Sequence, residues 1–151
     1  MTKRYAEGTK VPVERSIAEL KRTCEKYGAT NFGFLQADSK TAIFFKYSDR
    51  LYRMDLHFPN ASGARTMEEV KKIKAEERRL WRVLLLTVKA MFEGIENQVF
   101  DGHLLLQPFT VLPDNTVIGD RISPQLDQTY LTGNMPSLFL EGASSGGSQN
   151  D

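Results

Sequence analysis

The chain has 151 residues, 40% of them hydrophobic and 26% charged, the size and composition of one ordinary globular domain. Apolar runs such as Val83-Leu84-Leu85-Leu86 are four residues long, far short of the roughly 18–20 that span a bilayer; the opening Met1-Thr2-Lys3-Arg4-Tyr5-Ala6-Glu7 is not expected to act as a secretory signal, since it lacks an apolar stretch. The net charge of +1 hides an asymmetry: residues 1–89 carry 19 Lys/Arg and 11 Asp/Glu (+8), and residues 90–151 carry one Lys/Arg and 8 Asp/Glu (−7).

In chain order, residues 1–10 lack periodicity and read as an arm or edge segment. Pro12 suits a first helical turn, where its missing N–H costs nothing. Val13, Ile17, Leu20, Cys24 and Tyr27 then recur at spacings of three and four, one face of a helix that Gly28 should stop. Cys24, the only cysteine, excludes an internal disulfide or an intrachain thiolate cluster; it fits a packed thiol in a reducing cytoplasm. Three strands follow, at Asn31-Phe32-Gly33-Phe34-Leu35-Gln36, at 41–47 with Ile43, Phe45 and Tyr47 on one face, and at 50–58. The last alternates Tyr52, Met54, Leu56 and Phe58 against Leu51, Arg53, Asp55 and His57. The turns are expected at Ala37-Asp38-Ser39-Lys40 and Ser48-Asp49, and Pro59-Asn60-Ala61-Ser62-Gly63 should end the sheet.

A long helix is predicted from about residue 66 to 98, opened by a capping box of Thr66 and Glu69. Its first half is charged. Its second half carries the apolar stripe Leu80, Trp81, Leu84, Leu85, Val88, Met91, Phe92 and Ile95. Residues 101–106 read as a short helix or extended piece. A small hairpin is expected across Phe109-Thr110-Val111-Leu112, Pro113-Asp114-Asn115 and Thr116-Val117-Ile118. A short helix is expected over 124–131 and a docking apolar segment over 135–140. The pattern predicts an α+β fold: N-terminal helix, three-stranded antiparallel meander, long helix, then a small C-terminal hairpin and irregular segment. Residues 1–141 are expected to form one domain, and 142–151 a flexible Gly/Ser-rich tail.

No chemistry-bearing motif appears. The nucleophile elbow, the P-loop and the dinucleotide glycine turn are all absent. His57 and His103 stand far apart, and Asp-x-His is too common to mark zinc, so neither a metal nor another cofactor is expected. Glu68-Glu69 and Glu76-Glu77 sit among cations at spacings that support a helix rather than catalysis, so no catalytic residue is expected. The candidate surface is the basic cluster Arg65, Lys71, Lys72, Lys74, Arg78, Arg79 and Arg82, supported by Arg50 and Arg53 beside Phe44, Tyr47 and Tyr52. Cations hold phosphate without sequence preference, and aromatic faces stack on bases. Against this stands the reading that the aromatics are core and the charges are solvated or pair the basic half with the acidic half. The order helix, three strands, helix is shared with double-stranded-RNA-binding domains, a likeness of fold alone. Their basic run at the second helix is approached by Lys71-Lys72-Ile73-Lys74 but followed by Glu76-Glu77.

Several stretches carry a resemblance: Tyr5-Ala6-Glu7-x-Thr9-x-Val11-Pro12, Glu14-Arg15-Ser16-x-Ala18-Glu19-Leu20, Tyr27-Gly28-Ala29-Thr30, Trp81-Arg82-x-Leu84-Leu85-Leu86-x-Val88-Lys89-Ala90, Val111-Leu112-Pro113-Asp114 and Pro124-Gln125-Leu126. Over most of 5–136 the chain resembles uncharacterised small proteins of bacteriophages, prophages and other bacterial mobile elements. That resemblance implies a host-cell cytoplasm and an accessory role in phage DNA metabolism or counter-defence. The leading expectation is a non-enzymatic binder of DNA or RNA. The second is a counter-defence protein that inhibits a host defence protein or sequesters a nucleotide signal. The third is a self-associating scaffold, a homodimer formed through the long helix.

Overall fold

The computed structural model describes residues 2–37 and 40–136. The turn residues Asp38 and Ser39, the end of the apolar segment at 135–140 and the Gly/Ser tail therefore lie outside the described residues. The α+β order is as expected. Helix α1 (Val13–Lys26) leads into an antiparallel sheet of β1 (Thr30–Ala37), β2 (Lys40–Tyr47) and β3 (Arg50–Leu56). Then come α2 (Met67–Glu96), the short α3 (Gly102–Leu106) and α4 (Ile118–Thr132).

Local chemistry explains the boundaries. Pro12 is the N-cap of α1, one position ahead of the first turn. At the other end the Gly28 N–H donates to the Glu25 carbonyl (3.0 Å) and the Ala29 N–H to that of Cys24 (2.9 Å), with Gly28 at φ 94°. This paired closure is a Schellman motif, which needs a left-handed residue where glycine stands. Between β2 and β3, Ser48 and Asp49 both have positive φ (49° and 65°), closing a two-residue hairpin with Tyr47 opposite Arg50. Thr66 caps α2 by accepting from the Glu69 N–H (3.1 Å), and the Glu69 carboxylate reaches back to the Arg65 N–H (2.7 Å).

The strand alternation sorts as the period of two demands. Ile43, Phe45, Tyr52 and Met54 are buried, while Leu51, Asp55 and His57 on the opposite face are exposed. The buried face meets Trp81, Leu84, Val88 and Phe92 of α2 and Leu20 and Cys24 of α1 in one core. Two aromatic nodes anchor it. Phe92 gathers Tyr27 (5.3 Å, stacked), Phe45 (5.6 Å) and Tyr47 (5.5 Å), and Trp81 takes Phe58 edge-on at 5.1 Å. Cys24 is the packed thiol expected, with burial pushing its pKa up to about 12.

The C-terminal part departs in detail. The small hairpin forms, with Val111 bridging Val117, and it lies along the free edge of β3: Thr110 bridges Tyr52 and the Val111 N–H donates to the Leu51 carbonyl (2.9 Å). It thereby covers a row of ladder groups that would otherwise face solvent. The helix expected over 124–131 begins six residues earlier, at Ile118, so Pro124 falls inside it. Initiation comes from the hairpin, where the Asp120 and Arg121 N–H groups both donate to the Val117 carbonyl. α4 contains no buried residue, and Tyr130 and Leu131 are 90% and 79% exposed. Among the described residues no helix is long and apolar enough to cross a membrane.

Candidate nucleic-acid interface

The two halves of α2 do different things. Its C-terminal half supplies core. Its N-terminal half runs out past the packed layer, with Met67 72% exposed and Glu68, Glu69, Lys71, Lys72 and Lys74 also exposed. The helix persists there because Thr66 caps it and because Glu68 and Glu69 sit in the first turn, where negative charge complements the helix dipole. No glycine or proline interrupts the stretch.

The structure divides the predicted basic residues into three groups. Arg65, Lys71, Lys72 and Lys74 are exposed, and among the described residues none joins an ion pair. Arg78 and Arg79 are half-buried. Arg79 is held by Glu76 through two hydrogen bonds (3.0 and 2.7 Å), and Glu76 also takes Arg4 at 3.4 Å. Arg79 holds the Glu76 carboxyl below its ordinary pKa, and Glu76 in turn raises that of Arg79. Arg82 is similarly committed to Glu19 at 2.5 Å. Arg78 differs: its Nε–H is buried and has no acceptor among the described residues.

Arg50 and Arg53 form the third group, apart from the helix. Arg50 is exposed beside the β2–β3 turn, near the Phe92 end of α2. From Lys72 to Phe92 the helix rises about 30 Å at 1.5 Å per residue, so Arg50 and the lysines cannot grip one phosphate. Arg53 is structural. It holds Asp55 with two hydrogen bonds (3.0 and 3.3 Å) and donates to the Asn115 carbonyl at 2.9 Å, tying the hairpin to β3. Nor are the neighbouring aromatics a stacking platform. Tyr52 is fully buried and Tyr47 packs on Phe92; only Phe44, which lies over Gly33 and opposite Arg53, is exposed.

Of the seven ion pairs among the described residues, six lie within 1–89 and one, Arg121–Asp114, within 90–151; none joins the halves. Below α2, at the ends of the strands, run two adjoining clefts that share Gln36 and Glu77. Nothing in the sequence joins Lys10 and Gln36 to Glu77, because only packing brings the arm, the end of β1 and α2 together. Among the described residues no cluster of His, Cys, Asp or Glu could hold a metal ion. Compared with protein-family models, curated proteins and solved structures, the chain matches none.

Proposed function

We propose that this chain is a non-enzymatic nucleic-acid-binding accessory protein of phage or prophage type, gripping the sugar-phosphate backbone with Arg65, Lys71, Lys72 and Lys74. The observation that carries the reading is that these four cations are exposed and unpaired among the described residues, while most other arginines are committed to carboxylates. Such a surface binds by releasing condensed counterions, so its affinity falls with salt and shows little sequence preference. Arg78 and Arg79 flank it as positioning groups. The accessory role is part of the same proposal, taken from the resemblance of the sequence motifs alone. The direct test is retardation of single- and double-stranded oligonucleotides at about 50 mM salt, well below physiological ionic strength. Retardation is expected, and its absence for both would overturn the reading.

The acidic half favours a second reading, a counter-defence protein that engages a host defence protein. Phe100, Leu104, Tyr130 and Leu131 are exposed in the part of the chain that holds Asp101 and Asp127, a mixture suited to a protein partner. Capture of one host protein that Tyr130→Ser abolishes would support it, and capture unaffected by that change would count against it. A homodimer through α2 would have Met67 and Leu86 to use, since Trp81, Leu84, Val88 and Phe92 are buried within one chain.

A further inference from the structure

The larger of the two clefts, about 460 Å³, is lined by Lys10, Pro12, Val13, Glu14, Gln36, Lys74, Glu77 and Arg78. Three cations from two separate parts of the chain line it: Lys10 from the arm, and Lys74 and Arg78 one helical turn apart on α2. Lys10 and Lys74 join no ion pair among the described residues. Arg78 likewise joins no ion pair among the described residues, and its covered Nε–H has no acceptor among them. Two carboxylates share the lining. Glu77 already accepts from the Gln36 amide at 2.6 Å, and Glu14 lies in the first turn of α1. That helix end has Pro12 as its N-cap and no capping side chain, so its first N–H groups add positive potential on the same side.

We propose that this cleft is a phosphate-monoester site, with Arg78 and Lys74 on the phosphate oxygens, Lys10 closing over it from the arm, and room for one attached nucleoside. The volume falls within the range of small-ligand sites, and a phosphate would take charge-assisted hydrogen bonds from the Lys10, Lys74 and Arg78 side chains that line it. The proposal shares Lys74 with the backbone-binding surface but stands apart from it, since Lys10 belongs to the cleft alone and Lys72 to the surface alone.

Titration of the full chain with adenosine 5′-monophosphate, inorganic phosphate and adenosine, followed by amide NMR, tests it. The monophosphate should shift the amides of Lys10, Val13, Glu14, Lys74 and Arg78, phosphate should compete, and adenosine should not bind. Arg78→Gln should weaken binding at least about tenfold, and Lys10→Gln, an exposed change safe for folding, by a smaller but measurable factor. Lys72→Gln should leave it unchanged while lowering affinity for long oligonucleotides. A 5′-phosphorylated oligonucleotide that shifts the same amides where its unphosphorylated twin does not would identify a strand end as the source; a response to the free nucleotide alone would identify a small molecule. No shift at about 10 mM monophosphate, a weak regime even for small ligands, would overturn the proposal. Binding unaltered by both Arg78→Gln and Lys10→Gln would also overturn it, whether or not long oligonucleotides bind.

Discussion

Asp49 occupies the left-handed region at φ 65°, next to Ser48 at φ 49°, a pair of conformations that a tight hairpin requires and that residues with a Cβ adopt at a cost. Asp49→Gly should therefore stabilise the protein by about 0.5–1 kcal/mol, read as a higher urea midpoint with an unchanged slope. A lower midpoint would mean that the Asp49 side chain contributes more than its backbone costs. A second single-residue effect follows from Glu19, whose pKa is lowered first of all by its hydrogen bond from Arg82. A carboxyl with a depressed folded pKa stabilises above its unfolded value of 4.5, and that contribution is lost as pH falls through the folded pKa. Glu19→Gln should thus destabilise at pH 7 by about 1 kcal/mol, the scale of a half-exposed ion pair. The difference from the parent chain should begin to shrink below 4.5 and vanish once the pH has fallen through the lower, folded pKa. A gap that persists at low pH would assign the loss to packing instead.

Elements were legible wherever their cause is local. The stripe from Val13 to Tyr27, the Gly28 stop, the Thr66 cap and the alternation along β3 all rest on residues within a few positions of each other, and each forms as its spacing requires. α4 is the exception. Proline reads as a first-turn residue, yet the hairpin starts the helix at Ile118 and leaves Pro124 in its interior. Interior proline costs roughly 3 kcal/mol, and α4 has no buried residue to offset it. Pro124→Ala should slow amide exchange over 118–124 markedly while moving the global unfolding midpoint little; faster exchange would contradict this. The candidate surface was legible for the same reason as the helices, since Lys71, Lys72 and Lys74 are consecutive or nearly so. Arg53 was not, because its partner Asn115 is 62 residues away. The cleft of Lys10, Gln36 and Arg78 was invisible because it exists only once three distant segments pack.

Over the whole molecule the uneven charge of the sequence is not cancelled by described ion pairs between its two parts, although a hydrogen bond from Tyr27, and then the nearby Lys26 and Lys89, lower the Glu93 pKa. Residues 1–89 retain a net +8 and residues 90–151 a net −7, and no described ion pair links them. Exposed cations without carboxylate partners are what the proposed binding to a polyanion would use. Only Arg65, Lys71, Lys72 and Lys74 are both exposed and free of carboxylate partners among the predicted helix cations. The most direct measurement is fluorescence anisotropy of a duplex oligonucleotide with the parent chain and with the combined Lys71→Gln, Lys72→Gln and Lys74→Gln variant, folding of both being checked by circular dichroism. Four phosphate contacts imply a slope of log affinity against log salt of about −3 to −4, hence a roughly 100-fold loss between about 50 and 200 mM. The variant should bind far more weakly, with a slope near −1. A parent chain that does not bind, or a folded variant with unchanged affinity and slope, would contradict the claim that this half of α2 holds nucleic acid.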